Sequence, residues 1–111
     1  MRIDAYGLHY RELNQRIHAA VEAGETEIVL DHVLGQRYIG TGLGAGVRIT
    51  INGTPGNDLA AFMDGAAIEV NANAQDGVAN TMNAGRIVVR GDAGDILGHS
   101  MRGGMILVEG L

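Results

Sequence analysis

The chain has 111 residues and a mass of 11.6 kDa, enough for one core that takes about two thirds of the unfolded surface out of water. Apolar residues are 46% of the chain and charged residues 19%, and no apolar run reaches the roughly 20 residues of a membrane span, so neither a disordered tail nor a membrane protein fits. All eight basic residues are Arg, Cys and Trp are absent and the net charge is -5, which removes Schiff-base lysines, GK[ST] phosphate loops, thiol nucleophiles and cysteine metal sites and argues against a nucleic-acid surface.

The N-terminus, MRIDAYGLHYREL, has charges scattered through it and no apolar h-region, so no secretory signal is evident and a cytoplasmic location is the default. From His9 to Ala23, Leu13, Ile17, Ala20 and Val21 fall on one stripe, with Arg11, Glu12, Asn14, Gln15, Arg16 and Glu22 outside it. That spacing predicts an amphipathic helix that Gly24 terminates. A strand follows at Ile28-Val-Leu, with a further short strand at Arg37-Tyr-Ile.

Beyond Gly46 the chain repeats with a period of 19 residues. Ile49, Ile68, Ile87 and Ile106 form one apolar column, and Ile51, Val70, Val89 and Val108 a second. Leu59, Val78 and Leu97 form a third, and Met63, Met82 and Met101 a fourth. Three softer columns keep small residues apart from one glutamine: Gly53, Ala72, Gly91 and Gly110; Gly56, Gln75 and Gly94; Ala60, Ala79 and Gly98. A repeat this short, with an I-x-V alternation and a glycine turn, predicts one coil of a right-handed, single-stranded parallel β-helix whose equal positions stack as ladders about 4.8 Å apart. The all-β solenoid then carries one N-terminal helix as a cap. Its divisions are a capping segment at 1–24, an irregular coil at 25–45, repeats at 46–64, 65–83 and 84–102, and a partial coil at 103–111. Columns 57/76/95 and 64/83/102 are polar and are expected to face solvent, while 60/79/98 is expected to form a sharp corner.

The third unit, G91-D-A-G94-D-I-L-G98, completes a G-x-x-G-x-x-x-G pattern. With HYRELNQRI, GQRYIGTGLGAG, GTPGNDLAAFMDG, NAQDGVANTMNAG and GDAGDILGHSMRGG, almost the whole chain resembles the glycine-motif (GXGXG) β-helix domain at the C-terminal end of the glutamate synthase large subunit. A related β-helix occurs in formylmethanofuran dehydrogenase. As a stand-alone chain the domain accompanies glutamine amidotransferase and flavin-dependent synthase chains, including those of N-methylglutamate synthase. The resemblance implies a non-catalytic scaffold for glutamate biosynthesis, with FMN and the iron-sulfur cluster in partner chains and no cofactor, metal or catalytic residue here. Ala60, Ala72, Gln75 and Ala79 depart from the glycine pattern, and the chain stops at Leu111 where family members continue, so a fragment or a shortened relative is implied.

Other motifs have bland counterparts. G40-T-G42-L-G44-A45 matches G-x-G-x-x-A, yet Val47-Arg-Ile-Thr-Ile after it reads as a strand, not the helix that would receive a pyrophosphate. G98-H-S100-M-R102 nearly matches a nucleophile elbow, but Ser100 shares a column with Thr81 and Phe62. Asp92 and Asp95 lack the calcium nonapeptide around them, and His9, His18, His32 and His99 show no metal-ligand spacing. Two alternatives stay open: a self-assembling solenoid of unrelated role, and a small enzyme using the 40–46 or 98–102 glycine turns. Exposed strand edges predict a homo-oligomer for the isolated chain, with neither nucleic acid nor membrane as a partner.

Overall fold

A computed structural model describes residues 1–95 and 97–110; Ile96 of the GDAGDILGHSMRGG motif and the terminal Leu111 lie outside the described residues. The elements are β1 (Arg2–Asp4), α1 (Tyr10–Glu22), β2 (Glu27–Leu34), β3 (Arg48–Thr54), β4 (Asp64–Val70), β5 (Ala84–Val89) and β6 (Met105–Val108). All six strands are parallel and stand in chain order in one sheet, so the chain winds as a β-solenoid.

The apolar ladders set the register. Ile28 pairs with Ile49, Ile49 with Ile68, Ile68 with Ile87 and Ile87 with Ile106; Leu30, Ile51, Val70, Val89 and Val108 pair in the same way. Each set points inward, because strand side chains alternate faces and like shapes stack one coil apart. Both ladders are buried as far as β5 and only half-buried at Ile106 and Val108 in β6.

Helix α1 starts one residue inside the stretch that its apolar stripe predicts. The His9 side chain accepts the Arg11 N–H at 3.2 Å as the cap, and Gly24 adopts a φ of 97° just past the end. Leu13, Ile17 and Ala20 are buried in the solenoid core, and Val21 packs beside them. Gln36, also buried, donates its amide to the carbonyls of Ala5 and Leu8 and accepts the Leu34 N–H, which ties the chain before α1 to the coil below.

Two parts of the fold differ from the sequence expectation. β1 joins the sheet by pairing with β2, from within the segment read as a helical cap. Arg-Ile-Asp carries a single inward apolar residue, too little alternation to mark a strand. Arg37-Tyr-Ile is not a strand either. Tyr38 has a φ of 60°, and two consecutive turns begin there, with Thr41 N–H donating to the Tyr38 carbonyl and Leu43 N–H to that of Gly40.

That pair of turns recurs in later coils. Ala61 N–H donates to the Asp58 carbonyl and Met63 N–H to Ala60; Asn80 N–H donates to Gly77 and Met82 N–H to Ala79. The third residue of each turn has a positive φ: 81° at Gly40, 71° at Gly42, 61° at Ala60, 59° at Phe62, 60° at Ala79 and 54° at Thr81. This is the requirement of type II geometry. Stacked bonds, Ala60 N–H to Ile39 carbonyl, Ala79 to Leu59 and Gly98 to Val78, join the turns into a wall opposite the sheet.

Candidate functional site

The glycine columns meet the asparagine and aspartate columns of the preceding coil. Asn73 Oδ1 accepts the Asp92 N–H at 2.8 Å, Asp76 Oδ1 accepts the Asp95 N–H at 2.7 Å, and Asn57 Oδ1 accepts the Asp76 N–H at 3.1 Å. Gly91 and Gly94 precede the two donating amides, and a Cβ on Gly94 would collide with Asp76 Oδ1. The glycine lets one coil settle onto the carboxylate of the coil before it, while Gln75 sits at the longest of the three bonds. Gly53 faces the Val33 backbone and Gly56 that of Gly35, each with no room for a Cβ. Ala72 follows β4, and its carbonyl accepts the Gly91 N–H at 3.1 Å. Gly98 stands in the turn wall with Ala60 and Ala79, a φ of 61° placing it in the left-handed region with them.

Met63 and Met82 are fully buried, and Met101 packs half-buried against the core. Room for Met63 and Met82 comes from Gly85 and Gly104, members of a glycine column that a strict period of 19 conceals. Gly46 and Gly104 ahead of β3 and β6, and Gly65 and Gly85 as the second residues of β4 and β5, all have positive φ, but the bulge between Asp64 and Ala67 in the β4–β5 pairing puts Gly85 and Gly104 one place off the grid. A Cβ on Gly104 would stand 2.6 Å from Met82 Cε.

A second polar ladder climbs the outside of the sheet. Arg2 donates to Asp31 through Nε and Nη2, both at 2.9 Å; Asn52 donates to Asp31 and Asn71 to Asn52, each at 2.9 Å. Arg90 continues the column with bonds to Glu109 at 2.8 and 2.9 Å and to Glu69 at 3.2 and 3.4 Å. The Arg2 guanidinium and the Asn52 amide hold the Asp31 carboxyl below its ordinary range. Glu109 and then Glu69 raise Arg90.

The residues that invited a chemical reading are dispersed. Ser100 is exposed in the turn wall at a φ of 56°. His9 caps α1, His32 Nδ1 lies 3.0 Å from Asp4 Oδ1, and His99 borders a hollow with Asp58 and Asp76. The Tyr6 N–H and then His32 hold Asp4 below its usual range. Among the described residues no three His, Asp or Glu side chains converge as a metal set, and no helix is long and apolar enough to cross a membrane. Gly40 and Gly42 are turn residues, and the run they open leads into β3 rather than a helix. A pyrophosphate therefore finds no helix N-terminus there.

Apolar side chains are left at the surface at the far end of the sheet, where Leu97, Met105 and Leu107 are 45%, 58% and 48% exposed. Among the described residues β6 pairs with β5 alone.

The profile of the GXGXG motif family, the C-terminal GXGXG domain family of glutamate synthase, matches residues 12–93. The chain is also similar to an uncharacterized protein of Methanocaldococcus jannaschii, 47% identical over 69 residues, which are 60% of this chain and 26% of that protein. It thus spans about a quarter of the length of the curated relative it matches. No solved structure matches it.

Proposed function

This chain belongs to the GXGXG motif family of glutamate synthase C-terminal domains, and on that premise we propose that it is a non-catalytic β-helical scaffold holding a glutamine amidotransferase and an FMN-dependent synthase together in a glutamate-forming complex. FMN and the iron-sulfur cluster belong to those partners, and the complex works in the cytoplasm. The support comes from the use made of its polar side chains. Asn57, Asn73 and Asp76 accept backbone N–H groups of the next coil, and Asp31, Asn52 and Asn71 bond along the sheet. These groups rigidify a surface instead of meeting at a reaction centre. Coils 46–64, 65–83 and 84–102 form the repeated body, with the 1–24 segment across one end.

The test is co-expression of the chain with an amidotransferase and a flavin-dependent synthase from its own genome. A stoichiometric complex, with no glutaminase or glutamate synthase turnover from the chain alone, is expected. Turnover by the isolated chain, or separate elution of all three, overturns the proposal.

A further inference from the structure

Between α1 and the first turn of the solenoid wall lies a cleft of about 480 Å³ lined by Tyr10, Arg11, Asn14, Gln15, His18, Tyr38 and Thr41. On a chain of net charge -5 with 13 acidic residues, this lining contains no carboxylate. Two of the three tyrosines meet here, with ring centroids 5.9 Å apart. The Arg11 guanidinium lies 5.8 Å from the centre of the Tyr10 ring and the Arg37 guanidinium 5.8 Å from that of Tyr38, within cation–π range. Neither guanidinium forms an ion pair among the described residues. Two cations are thus held against aromatic faces with their charge unmatched.

A further observation marks the same place. Asn14 donates Nδ2 to the carbonyls of Tyr10 and Arg37, both at 2.9 Å, which fixes its amide orientation, since the flipped form would set oxygen against oxygen. Its Oδ1 is then buried and accepts from no described group. An unmet buried acceptor is destabilising.

We propose that this cleft docks an extended acidic segment of a partner protein. Its carboxylates pair with Arg11 and Arg37, an apolar side chain lies on the Tyr10 and Tyr38 rings, and a backbone N–H reaches Asn14 Oδ1 when the side chains lining the cleft shift aside. Tyr and Arg are the side chains that most often anchor such contacts, and charge complementarity selects the acidic partner. The proposal deepens the scaffold function by naming the chemistry of a partner segment.

The experiment titrates the full chain with blocked hexapeptides bearing two carboxylates around one apolar residue, following the Asn14 side-chain amide and the Arg11 and Arg37 Nε–H resonances by NMR. Peptides with amides or lysines in place of the carboxylates, and acetate alone, are the controls. Acidic peptides are expected to shift all three resonances, with Kd weakened roughly tenfold by Arg11→Gln or Arg37→Gln and unchanged by Arg86→Gln. Absence of shifts at millimolar peptide, equal shifts from lysine peptides or acetate, or equal loss in Arg86→Gln overturns the proposal. If the wild-type complex forms and the Arg11→Gln/Arg37→Gln chain joins it equally well, the cleft is refuted and the scaffold stands. If no complex forms, the scaffold fails, and the titration still decides the cleft.

Discussion

The side-chain amide of Asn71 donates to Oδ1 of Asn52 at 2.9 Å from one coil later, 19 residues on in the chain. Asn52 in turn donates to Asp31, so its half-buried amide joins β2, β3 and the residue just past β4 in three consecutive coils. Asn52→Leu removes both bonds while keeping the bulk, and is expected to cost about 1–2 kcal/mol at roughly 1 kcal/mol per bond. Urea unfolding of the variant checks this. An unchanged midpoint shows that the ladder is decoration on a sheet held by its apolar columns.

Acid sensitivity follows from the same column. The folded Asp31 pKa is depressed, first by its bonds from Arg2 and then by the Asn52 amide, so its contribution is fully present above the unfolded value of about 3.9. That contribution is lost as pH falls from there through the lower folded value. Asp31→Asn is therefore expected to be less stable than the parent at pH 6, with the gap closing as pH falls from about 4 towards 2. Melting curves across that range decide it, and a constant gap refutes it.

The apolar ladders were legible because a parallel solenoid stacks equal positions, so its core is printed in the chain as a period; Ile49, Ile68 and Ile87 needed only counting. The turn wall was legible only at its 60/79/98 corner, where small residues mark Ala60, Ala79 and Gly98. Left-handed conformation at Phe62 and Thr81 comes from cross-coil bonds such as Phe62 N–H to the Asn80 carbonyl, and nothing in those residue types announces it. β1 offered one buried isoleucine. The cleft beside α1 joins side chains of a helix and a turn more than twenty residues apart, with Asn14 reaching the Arg37 carbonyl, and no local pattern spans that distance. The family resemblance covers both HYRELNQRI and GQRYIGTGLGAG but implies no site between them.

Met82 and Gly104 test the packing. Met82 is fully buried, and Met82→Ala is expected to cost about 2–5 kcal/mol. Gly104→Ala brings a Cβ to 2.6 Å from Met82 Cε and 2.7 Å from the Gly85 carbonyl at a φ of 94°. In the Met82→Ala background the first clash is gone and the other two strains persist, so Gly104→Ala is expected to cost less there without becoming neutral. A double-mutant cycle measures this coupling. Strict additivity shows that the two residues do not meet.

Ser100 separates backbone from chemistry. It is exposed with a left-handed φ of 56°, a conformation that costs a non-glycine residue about 1–2 kcal/mol. Ser100→Gly is expected to raise stability by about 0.5–1 kcal/mol, and Ser100→Val to lower it. Thermal melts report both. A destabilised glycine variant means that the hydroxyl makes a contact outweighing the backbone strain.

The far edge of the sheet bears on assembly. Glu109 N–H returns to the Val89 carbonyl, so by the alternation of a parallel ladder Ile106 and Val108 turn their backbone groups away from β5. Beside them stand half-buried Ile106 and Val108 side chains and exposed Met105 and Leu107. Such an edge recruits strands unless proline, an inward charge or a covering segment blocks it, and β6 contains neither proline nor charge. The isolated chain is therefore expected to form a homo-oligomer at micromolar concentration, with the Ile106 and Val108 amides protected from hydrogen exchange in the oligomer and Val108→Asp weakening association. Light scattering gives the mass and exchange locates the contact. A monomeric mass with slowly exchanging amides at both positions refutes the expectation, because that combination requires the edge to be satisfied within a single chain.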